Sequence, residues 1–136
     1  AAAADFLDAL VRRARAKERL RLWEGAVDDY SQAVAALARN GLEPNPRVLT
    51  FRGSALGSLG RWPEALRDFR EATELFSGAG AGEAQNAAAS RANEALALFG
   101  AGRRAEAVEA LEAVARQAPG LTDVHAALAA AYWGGR

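Results

Sequence analysis

Small and apolar residues recur along this chain at helical spacing, and they do so three times in one pattern. Leu22-Trp23-Glu24-Gly25-Ala26-Val27 leads to Tyr30 and Ala33, and Gly60-Arg61-Trp62-Pro63-Glu64-Ala65-Leu66 leads to Phe69 and Ala72. Gly102-Arg103-Arg104-Ala105-Glu106-Ala107-Val108 leads likewise to Leu111 and Val114. In each copy the anchoring alanine, the large residue one turn on and the small or apolar residue after it share one face of an α-helix. Counting back from the anchors Ala26, Ala65 and Ala107 aligns Ala14, Gly53 and Ala95, again without bulk. Small residues on two consecutive helices let their backbones approach closely, as antiparallel neighbours joined by a tight turn require. The pattern predicts an all-α chain built of helical hairpins.

These residues resemble the tetratricopeptide repeat, a helix-turn-helix of about 34 residues marked by small, aromatic and proline signposts. The fullest match is Leu49, Gly53, Leu56, Gly60, Glu64, Ala65, Phe69 and Ala72. The first copy offers Leu10, Ala14, Ala26, Tyr30 and Ala33, and the third Ala95, Leu98, Gly102, Ala107, Leu111 and Pro119. After Pro119 the frame runs on into a further first helix, with His125, Leu128, Ala129 and Tyr132 at its repeat positions. The resemblance implies an all-α, right-handed α-solenoid of antiparallel helix hairpins, about seven helices in a single domain. Its repeats are expected at about 5–40, 46–77 and 84–119, with a fourth first helix at about 122–133.

Three departures from the family pattern carry expectations of their own. Val114 stands where a small residue is usual, so the third hairpin is expected to pack slightly looser there. The anchors are spaced more widely than the consensus period, which places insertions at Asn40-Gly41-Leu42-Glu43-Pro44-Asn45-Pro46 and Ser77-Gly78-Ala79-Gly80-Ala81-Gly82-Glu83. Gly41 suits a helix C-terminus and Pro46 a first helical turn; the second insertion reads as a flexible connection.

A chain of 136 residues is long enough for one continuous helical core. It has no apolar run long enough to cross a bilayer, and no cysteine or methionine. Its net charge of zero gives no whole-molecule field favouring nucleic acid. Alanine is abundant and Lys17 is the sole lysine, a bias expected of a GC-rich genome such as that of a green alga or certain bacteria. The opening alanines and missing methionine lead us to expect a fragment or a processed chain.

Catalysis needs a nucleophile with a base, a paired acid or a metal cluster. His125 is the only histidine, and beside Ala129 and Tyr132 it reads as a structural residue. The acidic groups Asp28-Asp29, Glu71 with Glu74, and Glu106, Glu109 and Glu112 read as solvated helix faces. Gly78, Gly80 and Gly82 lack the preceding strand and following lysine of a phosphate loop. The expectation is a chain that is not an enzyme and needs no cofactor or metal.

By the resemblance, a ligand lies along the concave surface lined by the first helix of each hairpin. Arg12, Arg15 and Arg19 recur there as one basic stripe, which Arg47 is placed to join across the groove. Guanidinium groups suit the carboxylates of a peptide. Phe51, Asn93, Leu96, Phe99 and Trp133 extend the candidate surface towards an apolar end. The expected partner is a protein or peptide segment with acidic and apolar residues, not nucleic acid and not an inserted membrane. One subset of the family clamps heat-shock chaperone tails through lysine, asparagine and arginine side chains. The corresponding positions here read Val11, Arg15, Phe51, Ala89 and Asn93, so that clamp is absent.

The leading function is therefore an interaction scaffold that holds a partner segment and serves the assembly of a larger complex. The rival is a structural subunit docked permanently through the apolar end at Leu128, Tyr132 and Trp133, where a further helix is expected to continue the stack or another chain to cover it. The last helix and the Trp23-Glu24-Gly25-Ala26 turn resemble chloroplast repeat proteins of algae and plants, which implies a chloroplast setting, with the cytoplasm as the alternative.

Overall fold

A computed structural model describes residues 2–134. Among them the chain forms seven α-helices: α1 (Ala2–Arg19), α2 (Trp23–Arg39), α3 (Pro46–Ser58), α4 (Trp62–Gly78), α5 (Ala84–Gly100), α6 (Arg104–Gln117) and α7 (Thr122–Gly134). Consecutive helices pair as hairpins, and the hairpins stack through α2 on α3 and α4 on α5, with α7 against α6. This is the all-α solenoid that the repeated pattern implies. The side chain of Thr122, which with Asp123 reads in the sequence as a cap for α7, and the ending Gly135-Arg136 lie outside the described residues.

One turn geometry closes all three hairpins. The chain leaves α1, α3 and α5 through a left-handed residue, Arg21, Gly60 or Gly102, with φ of 60°, 75° and 82°. The next amide reaches back to the helix at 2.8–2.9 Å, from Leu22 to the Lys17 carbonyl, from Arg61 to Leu56 and from Arg103 to Leu98. This double closure satisfies carbonyls that the helix end would otherwise leave open. Arginine lacks the freedom of glycine at positive φ. Arg21→Gly is accordingly expected to stabilise the chain by about 0.5–1 kcal/mol, seen as a higher urea midpoint with unchanged slope.

The first insertion is shaped as its residues require. Gly41, at φ 65°, follows the C-cap Asn40 of α2, and the Asn45 side chain accepts from the amides of Arg47 and Val48 ahead of α3, with Pro46 in the first turn. The second insertion corrects the reading of a featureless connection. α4 continues to Gly78, Gly80 turns the chain at φ 104°, and a single 3-10 turn over Ala81–Glu83 leads directly into α5.

The small residues do the packing foreseen for them. A Cβ on Gly53 would stand 2.7 Å from the Phe69 ring, and one on Gly57 would stand 2.8 Å from the Trp62 indole, which also covers Gly100. Helices α3 and α4 are therefore seated on each other through an aromatic ring against bare backbone. Val114 corrects the expectation of slack packing: it is 1% exposed and closes a cluster with Leu111, Val124 and Leu128. Leu111 is smaller than the Tyr30 and Phe69 that hold its position in the other hairpins, and the valine fills the difference.

The acidic pair Asp28-Asp29 also departs from its reading as a solvated face. Asp29 is buried and takes a two-pronged contact from Arg13 at 2.8 and 2.9 Å, with Lys17 Nζ at 3.1 Å. Asp68 repeats the arrangement with Arg52 at 2.7 and 2.8 Å. A buried carboxylate needs such a partner, because desolvation without one is prohibitive.

Candidate functional site

Helices α1, α3 and α5 border a row of surface hollows together, and these make up the candidate groove. Side-chain size shapes them. On α3 the glycines Gly53 and Gly57 leave a hollow of about 300 Å³ whose base is Phe69 and Trp62 and whose far wall is Asn93 and Leu96 on α5. Nearer the start of α3 a second hollow of about 250 Å³ lies between Arg47, Thr50 and Phe51 on one side and Asn86, Ser90 and Asn93 on the other. A third, of about 220 Å³, runs from Asn93 and Leu96 across to Asp123, Val124 and Ala127 of α7. Asn93 borders all three, so the hollows adjoin one another around a polar amide.

The arginines are divided between the two ends of this groove. Arg15 and Arg19 border a further hollow of about 350 Å³ with Glu18, Trp23, Ser54 and Ser58. The Arg15 guanidinium lies 4.4 Å above the Phe51 ring, which in turn stacks on Tyr30 at 5.9 Å. Tyr30 donates to Glu18 at 2.7 Å, and burial together with that carboxylate holds its phenol protonated well above the usual range. Arg15 is thereby fixed over an aromatic face while half of its surface stays open to a ligand.

The nine residues expected at the groove are distributed unequally. Arg15, Arg19, Arg47, Phe51, Asn93 and Leu96 border its hollows. Arg12 borders none of these hollows; it is exposed and paired with Asp8 at 3.0 Å on its own helix. Phe99 is packed between the two main core clusters, and an aromatic ring at that junction gains more from burial than from solvent. Trp133 is exposed on α7, whose groove face is formed instead by Asp123 and Ala127.

Asn86, Ser90 and Trp62 line the groove without having been singled out in the sequence. Trp62 carried a signal: its repeat position matches Trp23, and the glycines one turn apart on α3 leave its ring uncovered. His125 is exposed rather than packed, and its Nε2 stands 3.0 Å from the Pro119 carbonyl, tying α7 to the preceding turn. Among the described residues no cluster of histidine and carboxylate has the geometry to hold a metal, and no helix is long and apolar enough to cross a membrane.

No protein-family model matches this sequence, nor does any curated protein. Solved structures do match the fold. The second TPR domain of human RPAP3 superposes with a TM-score of 0.76 at 19% identity, over 96% of this chain and 98% of that one. The TPR domain of Arabidopsis OM64 gives 0.76 at 14% identity over 97% and 98%, and that of Aspergillus fumigatus Sgt2 gives 0.72 at 21% over 94% and 78%. At these identities the likeness is one of architecture, and it establishes that the chain has the tetratricopeptide-repeat fold.

Proposed function

We propose that this chain is a non-enzymatic interaction scaffold that holds a segment of a partner protein in the groove of α1, α3, α5 and α7. The observation that carries the reading is the adjacency of three hollows around Asn93, each walled by residues that leave backbone, amide or apolar surface open. An extended segment offers side chains and backbone groups at that spacing, and preformed concave sites with a few convergent polar groups are the usual seats of ligands. Support by analogy comes from fold neighbours. The human RPAP3 domain was solved with the HSP70 peptide SGPTIEEVD, and the first TPR of Spaghetti (RPAP3) with the HSP90 peptide SRMEEVD.

The partner segment in this reading is acidic where it meets Arg15, Arg19 and Arg47, and apolar where it enters the hollow over Phe69 and Leu96. It is not a chaperone tail, because Val11 and Phe51 carry no donor at clamp positions; both pack on the core. The module serves the assembly of a larger complex, and its compartment is the chloroplast, on the resemblance of its first turn and last helix. Selection of a random peptide library on the immobilised chain should enrich segments that combine Asp or Glu with apolar residues. Arg15→Glu should then weaken the selected peptide by about tenfold or more with far-UV circular dichroism unchanged. Equal affinity for Arg15→Glu and for Leu96→Arg would place the site elsewhere.

A further inference from the structure

The ion pair that joins the two helices within hairpin 1 and again within hairpin 2 is missing from hairpin 3, where a cleft lies between α4, α5 and α6, lined by none of the groove residues. In the second hairpin Arg52 bridges three helices, to Asp68 on α4 and to Ser31 on α2 at 3.4 Å. At the matching repeat positions the third hairpin has Glu94 for the arginine and Ala110 for the aspartate, with Arg70 in place of Ser31. The seat is inverted in charge and bare on one side. Glu94 Oε2 accepts from Thr73 at 2.7 Å, while its Oε1 forms a long ion pair with Arg70 Nε at 3.7 Å, beyond hydrogen-bond length, so a closer cation can still take a hydrogen bond there. Towards α6 the cleft meets only Ala110 and Ala113, and Leu98 forms its floor; its volume is about 420 Å³.

We propose that this cleft is a second binding site, which takes a lysine or arginine side chain of a partner protein. The methylene stem lies on Leu98, Ala110 and Ala113, and the cationic head reaches Glu94 Oε1. Three observations select a cation over an anion. Glu94 is the enclosed charge of the wall, its side chain 19% exposed against 53% for Arg70. Arg91, the other arginine there, donates to Ser77 at 3.1 Å. In both other hairpins the equivalent seat holds a guanidinium against a carboxylate. A long cation also matches the walls, since its stem is apolar and only its tip is charged.

The site is independent of the groove and is tested directly with N-acetyl-arginine N-methylamide, titrated into the 15N-labelled chain, with the norleucine and glutamate analogues as controls. The arginine compound should shift the amides of Thr73, Glu94 and Ala110 while leaving Asn93 in place. Glu94→Gln, which retains the bond to Thr73, should weaken it about tenfold; Ala113→Leu, which fills the apolar wall without touching Glu94, should abolish the shifts. Equal shifts with the glutamate compound would make the cleft an anion seat of Arg70 and Arg91, equal shifts with norleucine would make it merely apolar, and silence at Ala110 would remove the site. Each of these three results overturns the proposal.

Discussion

Phe69→Ala is expected to destabilise the chain by about 4 kcal/mol. The ring is buried, and it fills the space against the bare backbone of Gly53 on the facing helix. When an aromatic side chain packs against a neighbour with its own side chain, that neighbour can lean into the void. Gly53 has none, so the cavity persists unless α3 and α4 slide together, and α3 is already held by Asp68 through Arg52. The measurement is the urea midpoint of wild type and variant by far-UV circular dichroism. A loss below about 2 kcal/mol would show that the helices do close the gap. The same ring is the base of the central hollow of the groove, so a peptide that binds there should weaken as well.

Asp68→Ala is expected to cost about 3 kcal/mol, and Asp29→Ala distinctly less, although the two aspartates hold the same repeat position. The difference lies in the cations left behind. The Arg52 side chain is 21% exposed and would remain enclosed without its carboxylate, whereas Arg13, at 56%, recovers its hydration and Lys17, at 30%, can swing its flexible ammonium tip out to water. Asp29 adds a dependence on pH. The hydrogen bond from Arg13 holds its carboxyl below the usual aspartate range; burial opposes this, and Lys17 reinforces it. A carboxyl with a depressed native pKa contributes its full stability above the unfolded value of about 3.9. That contribution is lost as pH falls through the native value. The penalty of Asp29→Ala should therefore be constant near neutrality and shrink below about pH 4, which urea titrations at a series of pH values would read. A penalty unchanged down to the acid limit would mean that Asp29 acts through its shape alone.

Much of this architecture was legible because it depends on local periodicity. The anchors Ala26, Ala65 and Ala107 mark one helix face each, and Gly60 and Gly102 mark the turns, since positive φ selects glycine. Arg21 escaped that reading, because the first turn has the same backbone without the same residue. Asp29 was misread for a related reason: two adjacent aspartates on a helix look solvated, and only their register with Asp68, Arg13 and Arg52 separates a buried one from an exposed one. The groove was half legible. Arg15, Asn93 and Leu96 were identified as first-helix surface, while Phe99, one turn from Leu96, was assigned to that surface and is half-buried against the core clusters.

By itself, then, the amino-acid pattern determined the helices, their pairing into hairpins and the side of each that is packed, because those follow from the 3.6-residue period and from which residues are small. Only the tertiary structure decided which exposed residues meet. Arg15 over Phe51, Trp62 across Gly57 and Gly100, and Glu94 facing Ala110 each join residues of different helices. Their separation is set by how one hairpin rests on the next, a quantity that no local period encodes.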